Sequence, residues 1–411
     1  MADDGKLGRL SFEWARAHMP VFVLAEKYIQ RKELGKRFFK NTYAAMCLHV
    51  SRETAVLVDS LHSLGMEINL VAANPLSTQD NIASFLRERG VEVSAKGSES
   101  SEEYYASIEV AAKSSPEFIV DDGGELHVAY SRLSLKSCKG GTDETTSGTL
   151  RLRAMDSERK LSYPVIPVNE AETKHIFDNK YGSGQSALDG LLRATGLLIA
   201  GKCVVISGYG WVGRGVAERT RGLGARVIVT EVDGVKALEA HMDGYEVLPM
   251  DEASIRGDVF LTCTGQLEVL RREHFERMKD GAILGNMGHF DREIDVVTLK
   301  KMGRRVEQVR KNVTKIEIDT EKSLYLLCDG RVVNLVAAGG HPPEVMQLSF
   351  ANQLLSIYYL LEHEKELRRE RPKLLQFPKE IDALVTNFAL EGFQLKIDRL
   401  SQRQKNYTKS Y

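Results

Sequence analysis

The sequence has almost no excess of charge: 56 lysines and arginines face 57 aspartates and glutamates, a formal net charge of −1. No field favours nucleic acid or an anionic membrane, so neither is an expected partner. No uninterrupted apolar run is long enough to span a bilayer. The opening residues, MADDGKLGRL, are acidic where a signal peptide is basic and then apolar, so a cytoplasmic location is expected. Cysteine is scarce. Cys47, Cys138, Cys203, Cys263 and Cys328 are scattered, odd in number and form no CxxC pair. That argues against a disulfide framework and a zinc knuckle, and no metal site is expected. Repeats and low-complexity linkers are missing as well.

What is present is an ordinary globular balance, 43% hydrophobic and 27% charged over 411 residues. That length predicts roughly two or three domains. FEWARAHMPVFVLAEKYIQRKEL reads as helix interrupted by one proline. Alternation then begins. TYAAMCLHV, EINLVAANP, VEVSAK and PEFIVDDGG read as strands, and RETAVLVDSLHSLG, TQDNIASFLRERG and SEEYYASIEVAAKS as the helices between them. The alternation repeats in the middle, where GKCVVISGYG, ARVIVTEVD, DVFLTCTG and GAILGNMGHF are strands and GRGVAERTRGLG a helix. This spacing predicts α/β architecture with two doubly wound parallel sheets. A long helix is expected near 342–367, followed by a charged, weakly helical tail.

In open parallel sheets, ligands collect beyond the carboxyl ends of the strands. In the first half those ends carry His49, Asn74 with Ser77, and Asp121 with Asp122. Two adjacent acids hinder each other's ionisation, which raises one pKa towards an acid–base range. In the second half, Gly208-x-Gly210-x-x-Gly213 lies between a strand and a helix, the arrangement that cradles a dinucleotide pyrophosphate. Glu231 ends the next strand, where a carboxylate takes both ribose hydroxyls and repels a 2′-phosphate, so NAD is expected over NADP. Lys174 and Asp178, four apart, share a face if the segment is helical.

The longer motifs resemble the S-adenosylhomocysteine hydrolase family: CLHVSRETA, NPLSTQD, VDDGG, DETTSG, FDNKYGSGQSALDGLLRAT, GYGWVGRG, NMGHFDREIDV and VVNLVAAGGHPPEVM, in that order across nearly the whole chain. The resemblance implies a discontinuous nucleoside-binding domain (1–181 and 341–386), an inserted NAD-binding Rossmann domain (182–340) and a C-terminal tail (387–411). It implies one tightly bound NAD per subunit, a homotetramer, and a place in the methyl cycle of one-carbon metabolism. The implied reaction is the reversible cleavage of S-adenosyl-L-homocysteine to adenosine and L-homocysteine. NAD+ oxidises the ribose 3′-hydroxyl, the acidified C4′ proton is removed, homocysteine leaves C5′, water adds, and the 3′-ketone is reduced back.

Residue by residue, the resemblance assigns Lys174 to the 3′-hydroxyl proton, Asp178 and Glu144 to the ribose, and Asp122 to acid–base work near C4′ and C5′. It assigns His49 and His289 to the homocysteine side and ribose, and Ser51 and Glu53 to the adenine. Thr145, Thr146 and Ser147 reach the nicotinamide ribose, while Asn334 and His341 lie beside the carboxamide. Asn179, Gly208, Gly210, Trp211, Val212, Gly213, Arg214, Gly215, Glu231, Lys236, Met287, Gly288 and His289 complete the cofactor set. The sequence departs from the animal pattern at Ser147 and Ser51, each in place of threonine, at Ser183 in place of cysteine, and at Trp211 in place of aspartate. Its tail lacks the lysine–tyrosine ending; Lys405, Tyr407, Lys409 and Tyr411 stand there instead. The competing expectations are an S-inosyl-L-homocysteine hydrolase, an NAD-dependent 2-hydroxy-acid dehydrogenase and a non-catalytic NAD-binding regulator.

Overall fold

The computed structural model describes residues 2–32, 39–369 and 373–409. Residues 33–34 of the expected N-terminal helical stretch, and Tyr411, lie outside them. Two helices, Ala2–Ala17 and Pro20–Lys32, open the chain. Pro20 stands at the first position of the second, where its missing N–H has no partner to lose.

The first sheet has the order β3-β2-β1-β4-β5-β6, all parallel. Its strands are β1 (Tyr43–Leu48), β2 (Glu67–Ala72), β3 (Glu92–Val93), β4 (Phe118–Asp121), β5 (Gly140–Asp143) and β6 (Val165–Pro167). Helices cover both faces, so β1 is buried from Ala44 to Leu48 and reads as a continuous apolar run. Neither β5 nor β6 was among the expected strands. β5, Gly-Gly-Thr-Asp, has no apolar signal because its faces have no room for one. A Cβ on Gly140 would press on Leu360, and one on Gly141 would collide with His127 and Ile119 O.

Leu360 belongs to the expected long helix, which runs Pro343–Glu362, breaks at His363 and resumes as Glu364–Leu367. It returns from the second domain into the core of the first, where Leu348, Phe350, Leu354 and Ile357 join Met46, Leu57 and Leu70. The helix Lys379–Gly392 adds Ile381 and Val385 to the same core. The tail beyond it is exposed and carries one short helix, Gln402–Tyr407.

The second sheet comprises β7 (Cys203–Ser207), β8 (Arg226–Thr230), β9 (Glu246–Val247), β10 (Val259–Thr262), β11 (Ile283–Asn286), β12 (Arg305–Arg310), β13 (Val313–Glu317) and β14 (Ser323–Leu327). Its order is β12-β13-β14-β11-β10-β7-β8-β9. The run from β9 to β14 is parallel and repeats the order of the first sheet; β12 and β13 add an antiparallel extension that the sequence pattern did not announce. Two doubly wound parallel sheets are present, as expected. Among the described residues no helix is long and apolar enough to cross a membrane.

Candidate active site

In a 3-2-1-4-5-6 sheet the connections reverse between the first and fourth strands, and a crevice opens at their carboxyl ends. His49 stands just beyond β1 and Asp122 just beyond β4; Glu144 follows β5, and Asn169 lies in the turn after β6. All four line one cavity of about 440 Å³, which also takes residues from the second domain.

The chain then winds as a π-helix, His175–Gly182, rather than the α-helix that four-residue spacing predicts. Such wide turns concentrate at functional sites. Lys174 and Asp178 still face each other, with Nζ 2.6 Å from Oδ2. Lys174 Nζ also donates to Asn169 Oδ1 and Asn179 Oδ1, each at 3.1 Å, and lies 3.7 Å from Glu144 Oε1. Burial alone would strip the lysine of its charge; Asp178 and Glu144 outweigh it and hold the pKa above the usual lysine value. Burial pushes Asp178 the other way, but Lys174 and then His341 hold its carboxyl well below the carboxylate range. His341 Nδ1 donates to Asp178 Oδ1, leaving Nε2 to accept from Asn334 Nδ2 and to meet Ser183 Oγ, both at 3.2 Å.

Asp122 and the two histidines form a second cluster. His49 Nδ1 meets Ser77 Oγ at 2.6 Å, and Ser77 in turn donates to Asn74 O. His49 therefore donates from Nδ1 and turns the lone pair of Nε2 towards Asp122 Oδ2, 3.7 Å away. Burial first, then Glu144, raises Asp122 well above the carboxylate range; the adjacent Asp121 contributes less than either. The adjacent acid raises it as expected, with burial and Glu144 adding more. Asp121 points away from the cleft and is fully buried beneath it. Burial lowers His49 to about 3 and His289 to about 4, so both are neutral at neutral pH. His289 comes from the second domain and seats its ring on Gly123, where φ is +111° and a Cβ would collide with Nε2.

Ser51 caps the helix Arg52–Ser63, accepting from Thr54 N, and lines the cavity. Glu53 is buried in the same wall, and its Oε1 accepts from Arg52 Nε at 2.7 Å. Thr145 caps the helix Thr146–Ser157; its hydroxyl lies 3.1 Å from Ser147 Oγ, and Thr146 Oγ1 accepts from Asn169 Nδ2.

The second domain contributes Gly210, Trp211, Val212, Lys236, Met287, Gly288, His289 and Asn334 to the cavity, and His341 follows where the chain leaves that domain. Trp211 opens the helix Trp211–Gly222 and lies under the Arg214 guanidinium, 4.8 Å away. The turn fits a dinucleotide. Gly208 has φ +91°, Gly213 leaves no room for a Cβ against Gly208 O, and Gly210 faces open space. Asp122 Oδ1, Glu144 Oε1 and Asn334 Oδ1 are buried with no hydrogen-bond partner among the described residues, acceptors prepared for a polar guest.

Some expected residues stand apart from the cavity lining. Gly208 and Gly213 shape the turn from behind. Gly215 sits against Lys180 O and brings two helices together. Arg214 reaches Tyr209 O and Glu239. Glu231 accepts from the backbone of Tyr209, Val232 and Asp233 at the mouth of the turn. Asn74 caps the turn Pro75–Ser77. The sequence reading missed Asn169 and Gln353. Asn169 joins Lys174, Asn179 and Thr146, and Gln353 Nε2 donates to Glu144 Oε2 at 2.6 Å. A signal existed for each: Asn169 ends the apolar run VIPV, and Gln353 is polar within a helix buried nearly all round.

Comparison with known proteins agrees with this geometry. Residues 2–133 match the family model for S-adenosyl-L-homocysteine hydrolase, and residues 179–340 match its NAD binding domain. An adenosylhomocysteinase of Sulfurisphaera tokodaii is 47% identical over 98% of this chain and 96% of its own length. One of Aquifex aeolicus is likewise 47% identical, with the same coverage. An S-inosyl-L-homocysteine hydrolase of Methanocaldococcus jannaschii is 44% identical over 99% of this chain and 97% of its own. With both halves matched and relatives this similar along their whole length, the chain belongs to the S-adenosyl-L-homocysteine hydrolase family.

Proposed function

We propose that the protein hydrolyses S-adenosyl-L-homocysteine reversibly to adenosine and L-homocysteine, with one resident NAD per chain. The observation that carries this reading is the buried lysine cluster, Lys174 with Asp178, Glu144 and Asn179, in the same cavity as the glycine turn. A free-exchanging dehydrogenase of a small hydroxy acid has no need of so many charged groups. When bound, NAD supplies the oxidation of the 3′-hydroxyl and its later reversal.

Lys174 accepts the 3′-hydroxyl proton only as a neutral amine. Burial favours that form, whereas Asp178 and Glu144 oppose it. Ribose hydroxyls that donate to the two acids loosen their hold on the lysine, so substrate binding itself prepares the base. Asn169 and Asn179 keep Nζ in place throughout. Asp122, held largely protonated by burial, stands across from the free lone pair of His49 Nε2, and the pair moves a proton at C4′ and C5′. Neutral His289 closes the cleft over Gly123. Glu53 accepts from the adenine 6-amino group, with Arg52 fixing its carboxylate.

We assign the nucleoside domain to 1–181 and 341–386, the NAD domain to 182–340 and the tail to 387–411. The core shared by residues 348–385 and the first sheet supports this division. A cytoplasmic homotetramer in the methyl cycle is part of the proposal. Support for self-association comes from the helix Gly234–Met242, which leaves Val235, Leu238 and Met242 at least 62% exposed. The deciding experiment takes protein purified without stripping and assays cleavage of S-adenosylhomocysteine with no added cofactor. Thiol release together with stoichiometric NAD in the denatured supernatant is expected. Substoichiometric NAD and no cleavage would favour the dehydrogenase reading.

A further inference from the structure

Beneath the cleft the acids come in two layers. Asp121 and Asp143 are aligned partners in the pairing of β4 with β5, and the residues that follow them, Asp122 and Glu144, reach the cavity. The inner pair is completely buried. A carboxylate oxygen from each, and a ring nitrogen of His127, lie within 4.8 Å of one another. His127 brings neither charge nor a site for a metal. Its Nε2 meets Thr142 O at 3.2 Å and so donates, and its Nδ1 meets the Tyr163 hydroxyl at 2.8 Å and so accepts. Burial lowers its pKa further.

The two carboxyls are partnered unequally. Asp121 uses both oxygens: Oδ1 accepts from Asp122 N at 2.8 Å and Oδ2 from His127 N at 2.9 Å. Those are the contacts of an anion. Asp143 uses one. Its Oδ1 accepts from Thr145 N at 2.9 Å and from the Thr145 hydroxyl at 3.3 Å, while Oδ2 has no partner among the described residues. Two negative charges this close, beside a neutral His127, do not persist together, and one carboxyl keeps its proton. We propose that Asp143 is a protonated carboxylic acid whose Oδ2 hydroxyl donates to Asp121, and that this one-proton bridge positions Asp122 and Glu144.

Burial first, and then the charge of Asp121, push Asp143 well above the carboxylate range, in agreement. The bridge acts on the site because only one peptide separates each inner acid from an outer one. Glu144 N donates to Asp121 O at 3.0 Å, so the two strand ends move as a unit. Asp143 touches no substrate and is a positioning residue. Its importance for the reaction rests on the reading of Asp122 and Glu144 given above, whereas its protonation does not.

The test is infrared spectroscopy of the full chain at pH 8 in H2O and D2O, with Asp143→Asn and Asp143→Ala alongside. The unmutated-minus-Asp143→Asn difference spectrum is expected to show a carboxylic-acid C=O band, beyond the one that Asp122 contributes to both proteins. Asp143→Asn should fold and keep kcat within about threefold, because the amide conserves shape, neutrality and a donor. Asp143→Ala should lose about tenfold in kcat, which the amide then rescues. A difference spectrum with no such band, or an Asp143→Asn chain that does not fold, overturns the proposal. Alanine with undiminished kcat overturns the positioning role. Should the unmutated protein leave S-adenosylhomocysteine uncleaved while the band behaves as expected, only the functional reading fails.

Discussion

The two sheets share one strand order and use their carboxyl ends in opposite ways. The first sheet builds its wall from buried ionisable groups: Asp122, Glu144 and, from the segment after β6, Lys174 and Asp178. The second relies on backbone at the glycine turn, where Gly208, Gly210 and Gly213 keep side chains away from a helix N-terminus of the kind that suits a phosphate. One wall works through the atoms it contains and the other through the atoms it omits. The first should therefore be sensitive to subtraction and the second to addition.

Subtraction at the charged wall gives the largest expected effect. Lys174→Ala should slow 3′-oxidation by about 10²–10⁴, the usual loss for one acid–base group, while NAD stays bound. Substrate-dependent NADH absorbance in a single turnover reads the step; an unchanged rate would remove Lys174 from the chemistry. Addition at the backbone wall comes next. Gly213→Ala forces a Cβ into Gly208 O. Overpacking of this kind costs about 1–3 kcal/mol, so NAD retention should weaken roughly 5- to 150-fold. Cofactor measured in the denatured supernatant after dialysis checks this, and full retention would show that the turn relaxes freely.

Glu53→Gln subtracts only a charge and keeps the shape. The preference for S-adenosylhomocysteine over S-inosylhomocysteine should narrow by about tenfold, because the amide can donate to a 6-oxo group. The ratio of kcat/KM values for the two nucleosides, with both proteins, decides it. Equal cleavage of both by the unmutated enzyme would sink the assignment of Glu53 and favour the inosyl reading.

The smallest effect concerns pH. His49 and His289 hold folded pKa values of about 3 and about 4, below the ordinary value for histidine. Between those values and about pH 6.5 the unfolded chain binds protons that the folded one refuses. Their contribution is fully present above about pH 6.5 and is lost as pH falls, about 2 kcal/mol for each by pH 5. Denaturant midpoints at the two ends of that window should draw together in a His49→Gln, His289→Gln double variant. No change in the gap would mean that neither ring resists protonation.

The same contrast governs how much could be read from sequence. The backbone wall is local: strand, glycines, helix and the acid of Glu231 lie in one stretch, and the pattern is visible without the fold. The charged wall gathers strand ends from across half the chain. The polar ends after β1 and β4 announced His49 and Asp122, since an apolar run preceded each. β5 gave no such warning, because close packing against Leu360 and His127 replaced its apolar residues with glycine, so Glu144 was legible only through the longer family motif. Asn169 stayed hidden for a related reason: β6 is three residues long. Gln353 escaped because a polar residue in an apolar helix acquires meaning only when its partner, Glu144, is known to stand opposite. The edge strand β12 was missed because it is exposed throughout and shows no alternation of burial.

The helix Pro343–Glu362 also sets an order of events during synthesis. The first sheet's core includes side chains from residue 15 to residue 385, with this helix among them. Until the ribosome has passed it, the sheet that emerged first lacks a central piece of its packing, and β5 stands without Leu360. The second sheet's main cluster, which lies between Ala187 and Val333, is complete earlier. The domain translated second is thus the first able to fold, and the domain translated first waits, partly open, for a strip of chain made near the end.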